Sequence, residues 1–227
     1  MDGTLVDTEP YWMAAEHELV SAHGGSWSHD DALSVVGVGL RDSARVLRAH
    51  GVALEIDEIV EWMTDRVLER VAEEVPWRPG ARELLAELRE SGTKTALITM
   101  SLHRMAEQVV SRLGFDAFDA IVGGDDVARA KPDPEPYRHA ARLLFVDIAD
   151  CVAIEDSVPG LASAVASGAV TIGIPLHAPL ADADTHTLWP SLDGRTVADL
   201  RSVFARHRAG VAAPAAADDA APVELRG

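Results

Sequence analysis

At 227 residues, with 48% hydrophobic and 25% charged side chains, the chain has a globular composition and room for one ordinary domain plus a modest insertion. Its 37 acidic against 20 basic residues give a formal net charge of −17, which argues against nucleic acid or an anionic membrane surface as a partner. No apolar run approaches the ~20 residues of a membrane span, and a lone cysteine, Cys151, leaves no intrachain disulfide, so a reducing, cytoplasmic location is expected.

Met1 is followed at once by Asp2, Gly3 and Thr4, so no signal peptide is expected. Residues 11–77 then read as helical throughout. Tyr11 to His23 and Ser43 to His50 have helical patterns, and Ile56, Ile59, Met63, Val67, Val71 and Val75 recur at the three-to-four spacing of a long amphipathic helix. No strand is predicted among them, and Gly37 to Gly39 form a loop.

From Gly80 onward the pattern alternates. Ala81 to Arg89 is a helix, with Pro79 ahead of it, Gly92 behind, and Leu84, Leu85 and Leu88 on one face. Thr93 to Thr99 is short, apolar and aperiodic, like a buried parallel strand. A helix through Met105, Val109 and Leu113 follows, then a strand at Ala120 to Val122 and a helix from Pro136 to Phe145. Cys151 to Ile154 (strand), Leu161 to Ser167 (helix) and Val170 to Ile174 (strand) complete the series. Repeated β-α-β units predict an α/β fold, a doubly wound parallel Rossmann-like sheet whose ligands bind at the carboxyl ends of the strands. The expected organisation is a core of residues 1–10 and 78–206, an all-helical cap of residues 11–77, and an Ala- and Pro-rich mobile tail of residues 207–227.

Four short blocks carry chemistry. Asp2-Gly3-Thr4 opens the chain and continues through Asp7-Thr8-Glu9-Pro10. Ala96-Leu97-Ile98-Thr99 is an apolar strand ending in a hydroxyl, Lys131-Pro132-Asp133-Pro134 follows a strand, and Glu155-Asp156 closes another. In this order the blocks resemble the four motifs of the haloacid dehalogenase-like hydrolase superfamily, over about residues 1 to 200. The resemblance implies a phosphohydrolase in which an Asp carboxylate attacks phosphorus and forms an aspartyl-phosphate. Asp2 is expected to protonate the leaving oxygen and then activate water. Repulsion between that carboxylate and a phosphate dianion calls for Mg²⁺, which prefers oxygen ligands. Asp156 is the expected side-chain ligand, with Glu155 beside it and the backbone carbonyl of Asp2 completing the protein's share. Thr99 is expected to donate its hydroxyl to a phosphoryl oxygen. Lys131, one of only two lysines, is expected to supply the local positive charge that an anionic substrate needs on so acidic a protein.

The sequence departs from the family pattern at one place. The attacking Asp lies two residues before the second Asp of the first motif, a position that precedes Met1. A start assigned to the methionine of an Asp-Met-Asp-Gly-Thr motif accounts for this. The apolar strand leading into that Asp is central in the sheet, so a chain beginning at Met1 is expected to be inactive, poorly folded, and to carry an open slot in its core.

The helical insertion resembles the family's small cap, which implies a small phosphorylated metabolite as substrate: a sugar, polyol or glycolate phosphate. A β-phosphoglucomutase-like mutase is the alternative, but Trp12 stands where that relative carries a histidine. Haloacid dehalogenases lack the second Asp. An inactive truncated product is the non-enzymatic alternative. Arg41, after the Gly37 to Gly39 loop, is a candidate substrate contact. Asp125 and Asp126 read as turn and capping residues, Cys151 as a buried small hydrophobe, and the nine histidines show no zinc spacing. A monomer or weak dimer is expected.

Overall fold

The computed structural model describes residues 1–212. Four helices come first: α1 (Glu9–Ala22), α2 (His29–Ser34), α3 (Leu40–Ala49) and α4 (Ile56–Glu73). α1 and α3 both pack on α4. Between them Leu19, Val20, Leu47, Ile59, Met63, Val67 and Val71 are buried, each contributing about 1.5–3 kcal/mol of apolar transfer free energy. The stripe expected on the long helix is therefore the spine of the cap. α2, which the periodicity did not predict, is held by a capping box in which Ser28 and Asp31 each satisfy the other's backbone N–H.

The alternating region gives α5 (Ala81–Glu90), β1 (Ala96–Ile98), α6 (His103–Ser111), β2 (Ala120–Val122), α7 (Glu135–Leu144), β3 (Val152–Glu155), α8 (Val158–Ser167), β4 (Val170–Gly173), β5 (Thr187–Leu188) and α9 (Val197–Ala212). Every ladder is parallel. Ala96 pairs with Ala120, Val152 with Val170, and Ile172 with Thr187. α7 packs against β1 and β2, α8 against β3 and β4, and α9 against β4 and α5.

Among the described residues the strands form two sheets, β2-β1 and β3-β4-β5, with no ladder joining β1 to β3. A cleft of about 850 Å³ separates them, walled by Leu97 and Ile98 on one side and Ala153 and Ile154 on the other, with Leu84 and Leu200 also lining it.

Two elements beside the cleft depart from those expected. The strand expected over Thr93 to Thr99 shortens to three residues. At its start a side chain replaces a ladder partner, for Thr95 N donates to Asp119 Oδ2 at 2.8 Å. Cys151 lies ahead of β3 rather than in it, half-buried at the cleft's edge, with Sγ donating to the Asp147 carbonyl. It is not the fully buried hydrophobe expected. At the other end, residues 207–212, assigned to the tail, complete α9, whose Val197, Leu200 and Val203 are buried. The rest of the expected tail lies outside the described residues.

Two connections cross between core and cap. They run side by side: Asp7 N donates to the Pro76 carbonyl at 2.8 Å and Arg78 N to the Leu5 carbonyl at 2.9 Å, with Val6 opposite Trp77 in an antiparallel bridge.

Candidate active site

One cavity, about 90 Å³, lies between the cap and the ends of β1 and β3. Asp2, Thr99, Lys131, Glu155 and Asp156 all line it. Four separate blocks of sequence thus reach a common point, because parallel strands end on the same edge of the sheet.

Asp2 is the most heavily held. Met1 to Val6 form a tight turn, with Leu5 N donating to the Met1 carbonyl at 2.8 Å. Asp2 Oδ2 accepts from Ser101 Oγ at 2.8 Å and Thr99 Oγ1 at 3.1 Å. Oδ1 accepts from Trp12 Nε1 at 3.3 Å and from the Thr8 hydroxyl. Burial pushes the Asp2 carboxyl up, but the adjoining Met1 amino group and these donors outweigh it and hold its pKa below the usual value. The Met1 amino group is itself buried, and burial lowers its pKa. Thr99, expected to face a phosphoryl oxygen, here donates to Asp2.

Gly3 is dictated by its neighbour. Its φ is +71°, and an added Cβ would lie 1.9 Å from Asp156 Oδ2. The backbone therefore passes directly against the acidic side chain, an approach open only to glycine. Asp156 Oδ1 accepts from Thr4 Oγ1 at 2.8 Å. Burial, then repulsion from Glu155, pushes the Asp156 carboxyl up to about 6. The N-cap of α8 is Ser157, whose Oγ accepts from Gly160 N at 3.2 Å, so Asp156 is not spent on capping.

Glu155 and Lys131 form an ion pair, with side chains only 5% and 7% exposed. Tyr137 also donates its hydroxyl to Glu155 Oε1, and the Lys131 ammonium sits 5.4 Å above the Tyr137 ring. Burial alone would raise the Glu155 pKa; Lys131 reverses that and holds it low. Glu155, expected as a metal ligand, is thus committed to Lys131. An added Cβ on Gly160 would come within 2.0 Å of Glu155 Oε2, which keeps that flank tight as well.

Arg41 is not brought to the cavity. It lies exposed on α3, paired with Asp57 of α4, because the Leu40 side of the helix faces inward. Asp125 and Asp126 take the capping and turn roles expected: Asp125 Oδ1 accepts from His103 N at the start of α6, and Asp126 Oδ2 accepts from Gly123 N, both at 2.7 Å. Thr8, Trp12 and Ser101 were not expected as partners of Asp2. Two of them carried a signal: Ser101 lies two residues past Thr99 on the same strand end, and Trp12 occupies the position of the mutase histidine.

Among the described residues, no three His, Cys, Asp or Glu side chains come together as a metal cluster. Mg²⁺ does not require one, since it retains several waters and uses one or two carboxylates. Asp156 fits that role. It is a largely buried carboxylate, and among the described residues no cationic side chain pairs with it.

The family model of haloacid dehalogenase-like hydrolases matches residues 1–168. Hexitol phosphatase B of Escherichia coli K12 is 34% identical over 180 residues, covering 77% of this chain and 81% of its own. A phosphorylated carbohydrates phosphatase of Thermotoga maritima is 34% identical over 173 residues, covering 74% and 79%. The crystal structure of CbbY from Rhodobacter sphaeroides in complex with phosphate superposes with a TM-score of 0.80 at 31% identity, covering 88% of this chain and 96% of its own. No helix among the described residues is long and apolar enough to cross a membrane.

Proposed function

The chain is a hydrolase of the haloacid dehalogenase-like family, and from that premise we propose that it is a Mg²⁺-dependent phosphatase of a small phosphomonoester, working through an aspartyl-phosphate. The observation that carries this reading is the meeting of Asp2, Thr99, Lys131 and Asp156 around one cavity. Sugar, polyol and glycolate phosphates are the substrate class. The named activities of the hexitol phosphatase and of the carbohydrate phosphatase support the first two.

In this reading the attacking carboxylate belongs to a residue ahead of Met1, on an extended segment seated between β1 and β3. The apolar walls of that cleft and the buried Met1 amino group support it. The carboxylate forms a bond to phosphorus as the ester P–O bond breaks, and Asp2 gives its proton to the leaving oxygen. Asp2 then takes a proton from the water that attacks the aspartyl-phosphate and frees inorganic phosphate. An amide in place of the Met1 ammonium removes the main influence lowering the Asp2 pKa, so that burial prevails and the acid role becomes accessible. Lys131 balances negative charge at the transferred group, and Thr99 turns its hydroxyl from Asp2 to a phosphoryl oxygen. Asp156 and the Asp2 backbone carbonyl would hold Mg²⁺. When bound, the ion supplies positive charge between the attacking carboxylate and the phosphate.

The cavity of about 90 Å³ is well below the ~300 Å³ of a small ligand pocket. Substrate entry in this reading requires the cap to swing outward and product release to reopen it.

The test is a phosphate-release screen over sugar, polyol and glycolate phosphates, with and without Mg²⁺, on the 227-residue chain and on a version extended at its amino terminus. Release by the extended protein, only with Mg²⁺, is expected. Interconversion of hexose phosphates without phosphate release would replace this reading with a mutase. Normal turnover by a preparation verified to begin at Met1 would overturn the placement of the nucleophile.

A further inference from the structure

The cavity has two unlike ends. The core end holds Lys131, the one cationic side chain among its lining residues. The cap end is walled by Val35, Val38, Leu40 and Met63, and into this apolar wall α1 places Glu16. Glu16 is 3% exposed. Its Oε2 accepts from Trp27 Nε1 at 3.1 Å, and the Trp27 ring is braced edge-on by His50, with ring centroids 4.9 Å apart. The carboxyl is thereby fixed in place. Among the described residues Glu16 has no ion-pair partner, and its Oε1 takes part in no hydrogen bond while keeping some accessible surface. Burial pushes its pKa up to about 7 against the bond from Trp27. Glu9, two turns earlier on the same helix, adds a second carboxyl to the cavity wall.

A carboxyl oxygen left open in a largely apolar wall is free to accept a hydrogen bond from a ligand. Such a group strongly favours a ligand that completes its hydrogen bonds and disfavours one that cannot. It also opposes a ligand that brings further negative charge where no cation answers it.

We propose that Glu16 is a specificity-determining residue: its free oxygen receives a hydroxyl from the uncharged body of the substrate, and its placement turns away substrates bearing a second anionic group. This rests on the reading above, that the phosphoryl group sits at the core end. It narrows that reading to monophosphates of polyols or sugars, and it excludes glycolate phosphate and bisphosphates as preferred substrates.

The test is calorimetric binding to the full 227-residue chain in Mg²⁺, with inorganic phosphate, sorbitol 6-phosphate, 2-phosphoglycolate and fructose 1,6-bisphosphate as probes. Where hydrolysis occurs, ratios of kcat/KM take the place of ratios of Kd. Sorbitol 6-phosphate is expected to bind roughly tenfold or more tightly than the two more anionic esters. Glu16→Gln keeps the acceptor for Trp27, removes the negative charge, and should narrow that preference. Glu16→Leu should erase the advantage of sorbitol 6-phosphate over inorganic phosphate. Trp27→Phe leaves the carboxyl in place but unbraced, and should weaken the preference without abolishing it. Equal binding of 2-phosphoglycolate and sorbitol 6-phosphate by the unaltered chain would overturn the proposal, as would an unchanged preference in Glu16→Leu. Binding of inorganic phosphate with no selectivity among esters rejects the role of Glu16 alone. Failure of the chain extended at its amino terminus to bind any phosphate compound rejects the phosphatase reading with it.

Discussion

Replacing Lys131 by Met keeps the length and apolar stem of the side chain and removes only the ammonium. Glu155 is then left buried with a 5% exposed side chain and no cationic side chain paired with it. Breaking a buried ion pair on one side costs about 3–5 kcal/mol. The Tyr137 hydroxyl still donates to Glu155, which places the expected loss near the lower end, about 3 kcal/mol. At ~2–4 °C per kcal/mol for a chain of this length, Tm should fall by roughly 6–12 °C. The pH dependence has a definite sign. In the unaltered protein the Glu155 pKa is held low, so its contribution is present above the unfolded carboxylate value and is lost as pH falls through the folded one. Without Lys131, burial raises that pKa, and the folded state must keep a proton that the unfolded state releases. The gap between the two proteins should therefore widen as pH rises from about 5 to about 7.5. Urea unfolding in EDTA, followed by circular dichroism, measures it. The double variant Lys131→Met, Glu155→Gln removes both charges of the pair and should regain most of the loss. A gap below ~1 kcal/mol, or one that does not change with pH, would refute the reasoning.

Three further outcomes follow from the same geometry. Gly3→Ala places a Cβ 1.9 Å from Asp156 Oδ2 at a φ of +71°; combined strain and clash should cost at least ~2 kcal/mol, read by thermal unfolding. Mg²⁺ at about 100 times its Kd should stabilise the chain by ~2.7 kcal/mol. Asp156→Asn should abolish this, and the effect should be weaker near pH 5 than near pH 8, because Asp156, with its pKa pushed up to about 6, must first lose its proton. Ile59→Ala, at a fully buried position on α4, should cost about 2–5 kcal/mol in urea unfolding.

Much of the fold was legible because its periods are strong. The stripe from Ile56 to Val71 along α4, the Pro and Gly flanking α5, and the short strand at Ala120–Val122 stand where the pattern put them, while Val75, the last residue of the expected stripe, lies beyond the end of α4 at Glu73. The ends of elements were less legible, since they depend on partners distant in sequence. β1 begins only at Ala96 because Asp119 captures Thr95. The site was legible as a set of residues and not as a set of bonds. Sequence order brought Asp2, Thr99, Lys131 and Asp156 together through the shared edge of a parallel sheet. It could not say that Lys131 would claim Glu155, or that Trp12 would reach down from the cap to Asp2. Arg41 fails for a related reason: one helical step decides whether a side chain faces the cavity or Asp57. α9 carries Val197, Leu200 and Val203 at helical spacing, a signal overshadowed by the composition of the residues beyond it.

The paired backbone bonds at Asp7–Pro76 and Leu5–Arg78 hold the exit and return of the helical insertion a single strand spacing apart. Everything between them is a loop in the topological sense, and closing it asks nothing of the sheet. Such a junction lets evolution, or an engineer, exchange the whole sixty-odd-residue segment for another of similar span while the catalytic floor keeps its shape.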